Sequence, residues 1–198
     1  MPSRPNDEMD DAAAQIDILR SLAVRGRHGV VNCGGLILVW GAAIIMGAGI
    51  EIIENHRVLS AAAWIGPLIL AFLASMFIMA GGRSRPHGLT WRTQAIHRVW
   101  VASGISILFF NIGEDIHGSQ LPSQSEAMTA FSLAVALLVT ANVSGQRLYG
   151  VAGAAWMFVA FGLLTIIPPH LLLPVLLASG IVLLIVPGCY ALSSGSSA

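Results

Sequence analysis

From Gly29 onward the chain alternates between long uncharged apolar blocks and short polar connections. A helix needs about twenty apolar residues to cross a hydrocarbon core, and charge is excluded along that length. The blocks predict six membrane-spanning helices. The first covers 29–50, between Arg27 and Glu51, and the second 61–82, ending before Arg83, with Pro67 tolerable in its early turns. The third, 95–113, has a short apolar run and recruits Ala95–Arg98, the Arg98 guanidinium reaching back to the headgroups. The fourth covers 127–146. The last two, 148–167 and 171–192, are cut from one uncharged run by Pro168-Pro169-His170 and Pro174.

The flanks read differently. In residues 1–28, Ala12, Ile16, Leu19, Leu22 and Ala23 recur at helical spacing among Asp10, Asp11, Asp17 and Arg20. This pattern predicts a short amphipathic helix lying on the membrane rather than docking a partner, with Arg25 and Arg27 at the headgroups. Its early acidic residues are unlike the basic start of a signal peptide, so the first apolar block is expected to be an uncleaved anchor. Residues 193–198 (SSGSSA) are expected to form a flexible tail.

Arginine sets the expected orientation. With the N-terminus inside, Arg4, Arg20, Arg25, Arg27, Arg83, Arg85, Arg92, Arg98 and Arg147 all fall on the cytoplasmic side, and Arg57 alone falls opposite. That bias predicts cytoplasmic N- and C-termini. The expectation is therefore an all-α, polytopic transmembrane six-helix bundle in a bacterial inner membrane.

Composition agrees, with 56% hydrophobic residues, 10% charged residues and a mean hydropathy of +0.77. There is no lysine, which together with abundant Ala and Gly suits a GC-rich bacterial genome. The zero net charge gives no basic footprint for nucleic acid. Cys33 and Cys189 are too few for a disulfide framework, and their apolar setting on the reducing side marks them as structural thiols.

Candidate chemistry gathers at the opposite end. Glu51, Glu54 and His56 close the first span, Glu114, Asp115 and His117 close the third, and His170 sits in the last turn on that side. The three-residue spacing of Glu51 to Glu54, and of Glu114 to His117, puts each pair on one helical face if the helices extend that far. Carboxylates with imidazoles suit Zn²⁺, Mn²⁺ or non-haem iron. The plain reading is a solvated polar rim; the alternatives are a proton- or cation-handling vestibule and a metal site.

Other chemistry is excluded more firmly. Asn32, Ser103, Ser106, Asn111, Ser132, Thr140, Asn142 and Ser144 are the intramembrane polar residues, and no charge falls in mid-span, which weighs against an ion-coupled transporter. His28, His97, His117 and His170 all lie near span ends rather than facing each other in mid-span, so haem is not expected. No phosphate-binding, thiol-redox, zinc-protease or hydrolase motif is present, and no cofactor is expected. Ser132, Ala136, Thr140 and Ser144 form a ladder of small residues suited to close helix packing, and Ala43 with Gly47 gives the first span a similar notch.

Val39-Trp40 and Val99-Trp100 are sixty residues apart, with Ala42/Ala102, Ile45/Ile105 and Glu54/Glu114 in the same register. Tandem hairpins would produce this match. So would odd-numbered helices that all enter through a tryptophan belt at the membrane surface. The N-terminal helix, six spans, QAIHRVWVASGISILFF and the closing IVPG resemble a group of uncharacterised bacterial six-helix membrane proteins. The resemblance implies no activity, cofactor or site residue.

Together these readings lean away from an enzyme and toward an accessory, sensory or assembly subunit. A small permease or channel with an acidic and histidine-bearing vestibule is the alternative, and a membrane metalloenzyme using Glu114, Asp115, His117 and His170 is the third reading. Expected partners are the lipid bilayer and a membrane protein or second copy of the chain.

Overall fold

The computed structural model describes residues 5–54, 60–83, 91–117 and 123–196; these are all-helical apart from short turns. Helix α1 spans Pro5–Glu54, α2 Ser60–Arg83, α3 Trp91–His117, α4 Ser123–Ser144 and α5 Arg147–Thr165. A 3₁₀ turn, Pro169–Leu171, leads into α6 (Leu172–Gly180), a π-helical turn (Ile181–Ile185) and α7 (Val186–Ser196). Among the described residues, six segments are long and apolar enough to cross a membrane: Gly34–Ile53, Ala63–Gly81, Trp91–Gly113, Gln124–Ser144, Arg147–Thr165 and Pro169–Ser193. The protein is a polytopic six-helix transmembrane bundle.

The spans form a ring in chain order. Each packs on its sequence neighbour, and the sixth, built from α6, the π turn and α7, closes back on α1. Helix α1 also reaches α3 and α4 across the interior. Alternating direction puts the ends of α1, α3 and α5 with the starts of α2, α4 and α6 at one end of the bundle, called here the Glu51 end. The opposite Arg147 end holds the turn between α4 and α5. There Gly145 adopts φ 76°, and its N–H bonds Ala141 O at 2.8 Å, closing α4 so that α5 starts two residues later.

Several helices differ from their predicted extents: α3 starts at Trp91 rather than 95 and α4 covers Ser123–Ser144 rather than 127–146, but the two ends of the chain differ most. The N-terminal segment was expected to be a separate short helix, but the backbone runs unbroken from Pro5 into the first span. At 50 residues, α1 is about 75 Å long against a hydrocarbon core of about 30 Å. Its described arm side chains, residues 15–19, are all exposed, so no packing within the bundle selects a face. At the other end, α7 continues to Ser196, into the predicted tail.

The sixth span also carries a local widening. Val186 N–H bonds Ile181 O five residues back, just before Pro187. A proline has no N–H and crowds the carbonyl four residues earlier, so a wider turn at this point relieves the clash. It also helps to keep a stripe aligned. Leu172, Leu176, Gly180, Leu184 and Gly188 recur every four residues and all are buried. In a regular α-helix that spacing precesses by about 40° per step, and one extra residue in a turn takes up part of the drift.

Candidate functional site

The α1–α2 seam contains the one candidate acid whose surroundings are described. Glu51 lies inside the apolar span Gly34–Ile53 and is only 8% exposed. The indole N–H of Trp64, at the start of the second span, donates to Glu51 Oε2 at 3.0 Å. One helical turn earlier, Gly47 makes room for that ring: a Cβ there would lie 2.6 Å from Trp64 Cε3. Trp64 therefore lies over the α1 backbone and covers the carboxyl. Glu51 is not part of a solvated rim, which corrects the plain reading of this residue. Gly47 and Glu51 are four apart on one helix face, but nothing in α1 itself points to the ring that covers them.

His170 occupies the 3₁₀ turn and is exposed. Glu54, Glu114, Asp115 and His117 belong to helix ends whose backbone is at the Glu51 end, but their side chains lie outside those described; His56 lies outside the described residues altogether. Both closing acid groups thus end spans on the same side of the bundle. Among the described residues, no group of three His, Cys, Asp or Glu side chains comes together as a metal site.

Tryptophan placement overturns the belt. Trp40, Trp64, Trp100 and Trp156 are buried in the bundle; Trp91 alone is exposed, at the start of α3, with the Arg92 guanidinium 5.8 Å from its ring centroid. Trp40 and Trp100 pack with ring centroids 6.3 Å apart, tilted by 31°. Gly104 accepts the benzo edge of Trp40, since a Cβ there would overlap Trp40 Cζ3 and Cη2. The shared spacing of Trp40 and Trp100 thus reflects interlocked core residues on α1 and α3, not anchors at a membrane surface.

Around this aromatic layer the polar side chains are mostly paired within the protein. Trp100 Nε1 donates to Thr140 Oγ1 at 3.1 Å, and that hydroxyl donates to Ala136 O at 2.7 Å. Ser103 Oγ donates to Ser132 O at 3.2 Å, and Asn111 Nδ2 to Ile107 O at 2.8 Å. The small-residue ladder predicted on α4 therefore faces α3 along Ser132, Ala136 and Thr140, while Ser144 instead accepts from Gln146 N–H at 3.3 Å in the turn. Trp40 Nε1, Ser75 Oγ and Trp156 Nε1 are buried without a hydrogen-bond partner. At the sixth span's end Cys189 is a free thiol on the exposed face.

Comparison with known proteins returns no match to a family model, a curated protein or a solved structure.

Proposed function

We propose that the chain is a multi-pass protein of a bacterial inner membrane, with both termini in the cytoplasm, that acts without catalysis as an accessory, sensory or assembly subunit. The observation that carries this reading is the filling of the interior. Trp40, Ile44, Trp100, Leu137, Trp156 and Leu184, drawn from five of the six spans, meet in one continuous buried core. Such packing suits a scaffold in the bilayer better than a conduit. The arginine distribution supports the orientation. Native mass measurement and cross-linking in mild detergent test the role: a discrete oligomer or defined complex is expected, and a strictly monomeric, partnerless chain would count heavily against it.

The buried Glu51 carboxyl favours one second reading, a small permease or channel for a neutral or weakly charged solute. A carboxyl group within an apolar span is costly unless it is used or well paired. Under this reading Glu51→Gln, which keeps an acceptor for Trp64 but cannot ionise, alters solute flux in proteoliposomes. Unchanged flux across a panel of small solutes would remove it.

A further inference from the structure

One charge stands on the lipid-facing side of α3. Trp91, Arg98, Ala102, Ile105 and Phe109 are all exposed, and their spacing along the helix puts them on one stripe. Arg98 lies about 10 Å along the axis from Trp91. The uncharged run 99–113 beyond it is about 22 Å long, against a hydrocarbon core of about 30 Å. Trp100, two residues further on, bonds Thr140, and α4 runs another turn past Thr140 to Ser144. The Arg98 backbone is therefore inside the apolar layer, on the outer face of the bundle.

A guanidinium there needs a counter-charge. Side chains on a helix tilt toward its N-terminus, which for α3 is the Arg147 end, so Arg98 is directed back to the membrane surface. The described carboxylates of the bundle, Glu51 and Glu126, both belong to the opposite end. An anion for Arg98 must come from outside the chain. A second copy packed symmetrically on this stripe would set Arg98 against its own like.

The stripe fits a lipid instead. Ala102 leaves a shallow notch beside the Arg98 stem, and Ile105 and Phe109 extend an apolar track below it. The Arg92 guanidinium, 5.8 Å from the centroid of the Trp91 ring, adds a second positive charge at the top of the stripe. A zwitterionic headgroup would bring its ammonium toward that charge. A headgroup of net negative charge would not. We infer that α3 retains one anionic phospholipid at the Arg147 end, its phosphate on Arg98 and one acyl chain along Ala102, Ile105 and Phe109. Arginine suits this task because its planar fork binds two phosphate oxygens at once.

The test titrates the full chain in mild detergent with phosphatidylglycerol or phosphatidylcholine of matched acyl chains, read by native mass measurement. One phosphatidylglycerol per chain is expected to be retained, in preference to phosphatidylcholine by about fivefold or more, as one guanidinium near an anionic surface provides. Arg98→Gln should bring the two lipids close to parity, and Arg92→Gln should reduce the preference in part. Arg147→Gln removes a charge from the same end but from another helix, and should leave the preference unchanged. Equal retention of the two lipids by the wild-type chain overturns the proposal. So does a preference that survives Arg98→Gln, or one that Arg147→Gln lowers as much, which would report only the general charge of this end. If Arg98→Gln does not fold, Arg92→Gln decides, and an unaltered preference there overturns the proposal as well.

Discussion

Two seams of this bundle solve the same problem by different means. In a bilayer, helices gain nothing from burying apolar surface that lipid would cover equally well, so contact must come from close packing or hydrogen bonds. Where the sixth span closes on α1, packing dominates. Gly34 lies against Ala191 and Gly188, Leu38 against Gly188, and Gly41 against Leu184, in one antiparallel register. The α3–α4 seam uses side-chain hydrogen bonds instead, through Trp100, Thr140, Ser103 and Ser132. The first seam tolerates no added atom; the second tolerates no lost acceptor.

The largest effect is expected where an atom is added to the glycine seam. A Cβ at Gly188 would sit 2.7 Å from Leu38 Cγ and 3.3 Å from Gly34 O. Gly188→Ala should therefore destabilise the protein by about 1–3 kcal/mol, the usual cost of overpacking. Leu38→Ala in the same chain should recover part of the loss, since it removes the atoms that clash. Unfolding in detergent micelles measures both, and a harmless Gly188→Ala would mean that the two helices are not in close contact.

The hydrogen-bonded seam should respond to loss of an acceptor. Thr140→Val preserves shape but strands the Trp100 indole N–H, and about 1–2 kcal/mol is expected, near the upper range for such bonds in membranes. In a Trp100→Phe background the same Thr140→Val change should cost much less, because no donor remains to be stranded. Equal costs in the two backgrounds would show that the bond contributes nothing.

The same contrast explains what could be read in advance. Six spans were legible because hydrocarbon excludes charge, a rule that acts on each segment separately. The α4 ladder was legible too, since four-residue spacing of Ser132, Ala136 and Thr140 defines one face without reference to a partner. Trp40 and Glu51 were misread because their environments are made by other helices. Trp40 is a core residue only because Gly104 on α3 admits its ring, and Glu51 is buried only because Trp64 on α2 covers it. The glycine seam was illegible for the same reason. Neither Gly34 nor Gly188 signals its partner until the ring closes and the last span meets the first.

Ser103→Ala separates a seam of independent bonds from a cooperative network. The Ser103 hydroxyl donates to Ser132 O, a carbonyl that already accepts within α4 and retains that bond when the hydroxyl is gone. Removing Ser103 Oγ deletes the donor itself, so no buried N–H or O–H is stranded, unlike the Trp100 indole in Thr140→Val. Alanine is also the better helix former. The expected change in stability is therefore within about 0.5 kcal/mol of zero, and stabilisation would be unsurprising. A cost as large as that of Thr140→Val would mean that the two bonds depend on each other, with Ser103 holding α3 at the distance that lets Trp100 reach Thr140. A double-mutant cycle between Ser103→Ala and Thr140→Val distinguishes the two cases: additive losses leave the bonds independent, and a coupling approaching the Thr140→Val loss makes them one unit.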